Sequence, residues 1–192
     1  MWYYQLDPND GFDYDLAAAP LLFNDRAGRR RVAVGSKNGF VYLIDRESHR
    51  LVWKTAVITI KHAAGEPVAN GVYTCPGEFG GVQWNGPTYS PTTDQVYVGS
   101  VDRCATFSSG SQRYEPPPVY LGTAASFKSD DAHSGWVYEL TASGGEPVWH
   151  YHADSPVLSG ATPTAGGTLF RNQNLGVSMG GGVITYLVSG TE

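Results

Sequence analysis

Four aspartates lie within nine positions near the start of the chain, in the stretch WYYQLDPNDGFDYD: Asp7, Asp10, Asp13 and Asp15. A carboxylate can accept a proton from a reacting hydroxyl or ligate a hard cation. In an extended segment Asp13 and Asp15 would point to the same side, because alternate residues share a face. The proline, asparagine and glycine between these acids are typical of a turn. From these residues alone, solvated turn acids are favoured over a functional site.

Other residues with reactive side chains show no established pattern. His150 and His152 would share one face of a strand, but no further ligand lies at the spacing of a metal site. The segment SDDAHSG, residues 129–135, lacks the full calcium-loop pattern. Ser159 and Ser178 occur in no nucleophile elbow or triad order. The acidic stretch is therefore the strongest chemical candidate.

Composition excludes several classes of function. The 192 residues carry a formal net charge of -5 with 13 basic residues, so no broad positive field for nucleic acid is expected. The run Arg29 to Arg31 is interpreted as a solvated turn. No apolar run approaches the roughly 20 residues of a membrane helix. After Met1 the chain has neither a basic start nor an apolar core, so no signal peptide is expected within this sequence.

An internal repeat indicates the elements that must position the acids. NGFVYLIDRESHRLVWK (38–54) and SGWVYELTASGGEPVWH (134–150) both predict two strands around a tight turn, ending at Trp53 and Trp149. Their spacing of 96 residues leaves room for one more unit between them. With 24 glycines and 12 prolines, the chain is predicted to be all-β, with three to four β-propeller blades and an open edge. Both tryptophans are expected to pack between blades.

Two cysteines, Cys75 and Cys104, are 29 residues apart. The count alone leaves two alternatives open, which are unrelated buried thiols in a reducing compartment or a disulfide in an oxidising one. If bridged, the loop would contribute roughly 3 to 4 kcal/mol to stability in the chain-entropy model.

The acidic stretch, written as W-x-x-Q-x-x-P-x-D-x-x-D-x-D from Trp2 to Asp15, resembles the segment around the catalytic aspartate of quinoprotein alcohol dehydrogenases. These enzymes use pyrroloquinoline quinone (PQQ) and include methanol dehydrogenase. Phe12 stands where the family usually has tryptophan. Four further features follow in the family's order: SKNGFVYLIDR (36–46), CPGEFGGVQWNGPTYSP (75–91), TPTAGG (162–167) and GGGVITY (180–186). The combination is much more specific than any single motif.

The resemblance implies roles for five residues. Asp13 lies at the position of the general base that accepts the alcohol's proton, and it would also ligate the metal. Asp15 lies where members that use a lanthanide rather than Ca²⁺ have an additional aspartate. Lys37 matches a cation at the reactive edge of the quinone. Gln83, where many members have asparagine, and Trp84 would contact the cofactor, although packing in a blade is the favoured interpretation of Trp84.

The resemblance also implies the setting. Cys75 and Cys104 correspond to a disulfide of related dehydrogenases, which implies an extra-cytoplasmic, periplasmic location. The partners would be a small alcohol and a cytochrome c-type electron acceptor. Residues 1–192 would form part of an eight-bladed propeller, incomplete at both ends and with an apparent deletion near 170–178. Such a chain needs the missing blades or another subunit and is expected to be inactive alone. The alternative is a non-catalytic, propeller-like binding or assembly module.

Overall fold

The computed structural model describes residues 1–61, 69–109 and 124–163. These residues form eleven strands: β1 (Leu21–Asn24), β2 (Arg30–Gly35), β3 (Phe40–Asp45), β4 (Leu51–Ala56), β5 (Val72–Thr74), β6 (Thr88–Ser90), β7 (Gln95–Asp102), β8 (Ala105–Ser109), β9 (Ala124–Ser129), β10 (Ser134–Thr141) and β11 (Pro147–Ala153). No helix long and apolar enough to cross a membrane occurs among them.

Three antiparallel sheets organise these strands. The first blade has the order β1-β2-β3-β4, and the second blade has the order β6-β7-β10-β11. The third sheet has three strands in the order β5-β8-β9. In the sequence, β5 precedes β6, and β8 and β9 lie between β7 and β10. The sheets are open rather than closed into a barrel, so the predicted all-β partial propeller is confirmed. Residues 164–167 of the TPTAGG segment, the GGGVITY segment (180–186) and the apparent deletion near 170–178 lie outside the described residues.

The repeat recognised in the sequence corresponds to the hairpins β3–β4 and β10–β11. Each hairpin has one shift in strand register, which lies between Leu43 and Ile44 in β3 and between Glu139 and Leu140 in β10. Both turns also place a residue with positive φ at the same position, namely His49 at 59° and Gly145 at 75°. The two hairpins are therefore equivalent outer strand pairs of two blades.

The unit expected between the two copies is different from a four-stranded blade. Strands β6 and β7 pair with each other and then with β10, so they complete the second blade. The turn predicted between Ser90 and Asp94 connects them, with the amide of Asp94 donating to the carbonyl of Ser90. The residues between the two hairpins also contain the three-stranded sheet of β5, β8 and β9, which lengthens the spacing to 96 residues. Sequence periodicity could not reveal it, because strand partners are chosen by long-range pairing.

The main core lies between the two blades. It contains Phe23, Ala33, Val41, Leu43 and Trp53 of the first blade with Val96, Val98 and Leu140 of the second. The indole nitrogen of Trp53 donates to the carbonyl of Ala142 at 3.2 Å, which docks the first blade on the β10–β11 turn. The packing role predicted for Trp53 is therefore confirmed, whereas the equivalent role of Trp149 stays a prediction.

One arginine of the basic run is buried, which corrects the interpretation of that run as a solvated turn. The guanidinium of Arg31 lies 3.1 Å from Asp25 Oδ2 and 2.5 Å from Asp45 Oδ2, and its side chain is 5% exposed. Arg29 also pairs with Asp25. Burial alone would raise the pKa of Asp25, but hydrogen bonds from the Arg29 amide and from both arginine side chains lower it overall. The ion pairs anchor the β1–β2 turn.

The disulfide is present between Cys75 and Cys104. It connects the segment that follows β5 to the residue that precedes β8, with the Cα atoms 4.4 Å apart. The bridged alternative is thus confirmed. Beside it, the amide of Gly77 donates to the carbonyl of Arg103 at 2.7 Å, so residues 75–81 pack closely on residues 101–105.

Candidate functional site

The aspartate segment is built from alternating buried and exposed side chains. The carboxylate of Asp10 accepts hydrogen bonds from the backbone amides of Phe12 at 2.9 Å and Tyr14 at 2.6 Å, which closes the loop around Asp13. Asp13 itself has a φ of 64°, a left-handed conformation that aspartate adopts more readily than most residues. Phe12 and Tyr14 are buried, while the side chains of Asp13 and Asp15 are 47% and 67% exposed. The aromatic residues thus hold the acids at the surface.

Tyr14 fastens this segment to the disulfide loop. Its hydroxyl donates to the carbonyl of Pro76 at 2.7 Å, and the hydroxyl of Thr74 donates to the same carbonyl at 2.8 Å. Desolvation by burial raises the pKa of Tyr14 to about 12. Phe12 packs edge-on against Phe107 of β8, with the ring centroids 5.2 Å apart. The sequence before β1 is therefore fixed to the three-stranded sheet, which sets the position of the acids.

Lys37 lies in the β2–β3 turn and reaches both exposed acids. Its Nζ is 3.0 Å from Asp13 Oδ2 and 3.5 Å from Asp15 Oδ2, and its backbone amide donates to the carbonyl of Asp15 at 3.2 Å. The Lys37 side chain is only 9% exposed. This burial is unusual for a lysine in a hairpin turn, where the side chain commonly extends into solvent. Three of the residues singled out from the sequence therefore lie together.

Glu78 belongs to the same charged neighbourhood, which the sequence did not indicate. The pKa of its carboxyl is raised, chiefly because the group is partly buried. The positive charge of Lys37 opposes this rise, and the negative charges of Asp13 and Asp15 add to it. Its Oε2 atom is buried without a hydrogen-bond partner among the described residues. The only sequence signal was its place in the CPGEFGG segment, next to the disulfide.

The capacity of this site for a metal is partial. The carboxylates of Asp13 and Asp15 supply oxygen donors, which Ca²⁺ and lanthanides prefer, and both lie close to the positive Nζ of Lys37. However, within residues 1–61, 69–109 and 124–163 no group of three or more His, Cys, Asp or Glu side chains could hold a metal ion. Two carboxylates fit a hard cation but do not complete its coordination.

Gln83 and Trp84 lie beside a cavity of about 200 Å³. The side chain of Gln83 is buried and donates to the carbonyl of Gly80, whereas Trp84 is 71% exposed. Trp84 therefore lines the cavity rather than packing between blades. The same segment touches the charged site, since a Cβ built on Gly81 would lie 2.6 Å from the Cα of Lys37.

Comparison with known proteins agrees with this architecture. Residues 1–66 match the family model described as the PQQ glucose/ethanol/alcohol dehydrogenase β-propeller domain. The sequence is 24% identical to quinoprotein alcohol dehydrogenase PedH of Pseudomonas putida, covering 88% of this chain and 33% of that protein. The resemblance to quinoprotein alcohol dehydrogenases is confirmed. The chain spans about a third of the length of the curated relatives it matches.

Further quinoprotein relatives match a similar portion. A lanthanide-dependent methanol dehydrogenase of Methylacidiphilum fumariolicum is 28% identical, over 88% of this chain and 31% of that protein. A europium-containing methanol dehydrogenase superposes with a TM-score of 0.65 at 24% identity, covering 82% of this chain and 31% of that one. The quinohemoprotein alcohol dehydrogenase ADHIIG of Pseudomonas putida HK5 gives 0.63 at 18% identity, covering 83% and 28%. At these identities the two structures show the fold alone.

Proposed function

We propose that this chain forms part of a PQQ-dependent alcohol dehydrogenase and carries its catalytic aspartate, Asp13. The observation that supports this most directly is the contact of 3.0 Å between the buried ammonium of Lys37 and Asp13 Oδ2. The site therefore has the charge arrangement expected of a proton acceptor next to an electrostatic stabiliser.

Proton transfer would take place at Asp13. Lys37 holds one carboxylate oxygen, while the 47% exposure of the side chain leaves room for a hydroxyl to approach. As the carbinol carbon of a primary alcohol loses hydride, its hydroxyl proton would pass to an Asp13 carboxylate oxygen, leaving an aldehyde. When bound, PQQ would supply the electrophilic carbonyl that accepts the hydride. Lys37, with Gln83 and Trp84 as further contacts, would bind the cofactor and stabilise the negative charge it acquires.

The metal would bind at Asp13 and Asp15. Either Ca²⁺ or a lanthanide would draw on these two carboxylates, with its other oxygen ligands supplied from outside the described residues. A trivalent cation gains more from the second carboxylate than a divalent one, because the attraction scales with the product of the charges. Asp15 therefore favours a lanthanide. In a longer protein that contains this chain, Asp15→Ala should reduce lanthanide-dependent activity more than calcium-dependent activity, and equal losses would contradict the ligand role.

The wider setting follows the same proposal. Residues 1–192 would act as an incomplete propeller domain that needs further blades or another subunit for turnover. A cytochrome c-type protein would accept the electrons, and the disulfide supports a periplasmic or other extra-cytoplasmic location.

Binding of the cofactor tests this proposal independently of turnover. The purified chain would be titrated with PQQ in the presence of La³⁺ or Ca²⁺, following the absorbance of the quinone. We expect binding that is lost in Lys37→Met, while Lys128→Met, which removes an exposed lysine of β9, serves as the matched control. Dye-linked alcohol oxidation should be undetectable with the chain alone. Measurable turnover that Asp13→Ala abolishes would overturn the expected inactivity but retain the role of Asp13.

A non-catalytic binding or assembly module is the second candidate. It is favoured by one observation, the lack of a third metal-ligating side chain at the site among the described residues. Equal PQQ affinity in the wild type and in Lys37→Met would support this candidate and reject the enzyme proposal, as would a lack of PQQ binding with either metal in a longer protein that contains this chain.

A further inference from the structure

The chain contains three asparagine–glycine pairs, Asn38–Gly39, Asn70–Gly71 and Asn85–Gly86. In such a pair the backbone nitrogen of the glycine can attack the side-chain carbonyl carbon of the asparagine, because glycine has no Cβ to hinder the approach. The reaction requires the asparagine side chain to rotate onto that nitrogen. Since the three pairs share this local chemistry, differences in their reactivity depend chiefly on how the fold holds each side chain.

Asn38 is held by hydrogen bonds at both ends of its side-chain amide. The side-chain nitrogen donates to the hydroxyl of Tyr42 at 2.7 Å, and the side-chain oxygen accepts from the amide of Phe40 at 3.1 Å. The amide of Gly39 donates to the carbonyl of Ser36 at 3.1 Å. Asn38 is also buried, so the attack by Gly39 would require these bonds to break inside the protein.

Asn85 is held between two other segments of the chain. Its side-chain nitrogen donates to the carbonyl of Gly99 in β7 at 2.9 Å. The same nitrogen lies 3.4 Å from the carbonyl oxygens of Val157 and Ser159, which follow β11. The side-chain oxygen of Asn85 is buried. Rotation of this amide toward Gly86 would therefore break its contacts with both segments.

Asn70 differs from the other two asparagines because it is exposed, in the turn that leads into β5. Within residues 1–61, 69–109 and 124–163 its side-chain amide makes no hydrogen bond. The turn also requires glycine as the next residue, since Gly71 has a φ of 83° and a Cβ there would lie 2.9 Å from Thr106 Cγ2. The fold thus retains an unhindered nitrogen beside a side chain that is free to rotate.

We propose that Asn70 is a site of spontaneous deamidation in the folded chain. The nitrogen of Gly71 forms a bond to the side-chain carbonyl carbon of Asn70, and the bond from that carbon to the amide nitrogen breaks. Ammonia leaves with the proton from the Gly71 amide. Water then opens the succinimide at either carbonyl, which yields aspartate or isoaspartate. Each product adds one negative charge to a chain whose net charge is -5.

The isoaspartate product also alters the backbone where β5 begins. It places an additional carbon in the main chain between residue 70 and Gly71, which is already in close contact with Thr106 of β8. The first paired residues of the two strands, Val72 and Phe107, follow directly. The longer backbone should therefore disturb the pairing of β5 with β8.

Peptide mapping by mass spectrometry tests the proposal on the purified 192-residue chain, aged at neutral pH in heavy-oxygen water. The label enters when water opens the succinimide, which separates this reaction from conversion during later digestion. We expect Asn70 to react at least about tenfold faster than Asn38 or Asn85, because each hydrogen bond that must break first reduces the reactive population several-fold. In urea the three rates should converge. Asn70→Gln, whose longer side chain closes the ring poorly, should remove the modification.

Two results would overturn the proposal. One is an Asn70 that stays intact in the folded chain while it reacts in urea, and the other is equal rates at the three asparagines in the folded chain. The effect on β5 has a separate comparison, in which the isoaspartate form should unfold at a lower urea concentration than Asn70→Asp, which carries the same charge on an unaltered backbone. Equal midpoints would contradict the disturbed pairing of β5 with β8.

Discussion

The contact between the two blades gives the sharpest test of the fold, through a pair of glycine substitutions. Gly145 has a φ of 75°, and a Cβ at this position would lie 2.6 Å from Trp53 Cδ2 and 2.7 Å from Thr55 Oγ1. Gly28 in the β1–β2 turn has nearly the same φ, 77°, but its Cβ would have no heavy atom within 4 Å. Alanine at both positions therefore meets the same backbone cost, and the two substitutions differ in the clash with Trp53 and Thr55.

The magnitudes follow from these two situations. A left-handed conformation costs an alanine about 1–2 kcal/mol, so Gly28→Ala should lower the free energy of unfolding by about that amount. Overpacking adds about 1–3 kcal/mol for Gly145→Ala, because the indole of Trp53 is buried and hydrogen-bonded to Ala142. The gain from a less flexible unfolded chain is the same for both substitutions and cancels in the comparison. Gly145→Ala should thus be the more destabilising by about 1–3 kcal/mol.

Urea unfolding followed by far-ultraviolet circular dichroism would measure both changes under the same conditions. A second comparison places Gly145→Ala in a Trp53→Leu background, where the smaller side chain relieves the clash. There its cost should fall toward that of Gly28→Ala, with the contact to Thr55 remaining. Equal costs for the two glycine substitutions in the wild type, or an unchanged cost for Gly145→Ala after Trp53→Leu, would refute the docking of Trp53 on the β10–β11 turn.

Three further predictions concern the anchors of the fold and the site. The pKa of Asp25 is lowered in the folded state, so its contribution to stability is present above pH 4 and is lost as pH falls through the folded-state pKa. Asp25→Asn should therefore reduce the fall in the urea midpoint between pH 6 and about 2. An unchanged fall would argue against the Arg31 pairing. The pKa of Tyr14 is raised from 10.0 to about 12, so its contribution to stability is present below pH 10 and is lost toward pH 12. An absorbance titration should show a phenol that ionises late and that Tyr14→Phe removes. If Tyr14→Phe removes only a phenol that ionises early, the burial of Tyr14 is contradicted. Replacing Cys75 and Cys104 by serine should lower the free energy of unfolding, measured by urea denaturation, by roughly 3 to 4 kcal/mol, and an unchanged urea midpoint would show that the bridge does not stabilise the fold.

Local patterns were sufficient to predict the hairpins. Alternating apolar residues and a tight turn predicted both β3–β4 and β10–β11, and the structure gives the two turns the same positive-φ position at His49 and Gly145. The segment from Ser90 to Asp94 was predicted for the same reason. These features depend on residues close in sequence, whose conformational preferences are readable without the fold. The partners of β5, β8 and β9 depend on distant pairing and were missed.

The candidate site was predicted in part, because its charges converge only after folding. The resemblance singled out Asp13, Asp15 and Lys37, and the structure brings all three together. It did not predict the burial of Lys37, which depends on the close approach of Gly81 from another segment. Glu78 was missed because its position in the sequence carries no catalytic pattern. Its interaction with the charged site arises from the packing of the disulfide loop.

The close approach at Gly81 makes the charged site and the cavity parts of one unit. With a φ of 78° and a virtual Cβ only 2.3 Å from the carbonyl oxygen of Lys37, this position has no room for a side chain. Its hydrogen bonds with Val101 fix the cavity wall, and its backbone supports the turn that presents Lys37 to Asp13. Any displacement of this residue would therefore move the ammonium and the cavity wall together. Backbone contacts rather than flexible side chains thus fix the position of the cavity wall relative to Lys37 and its partner Asp13.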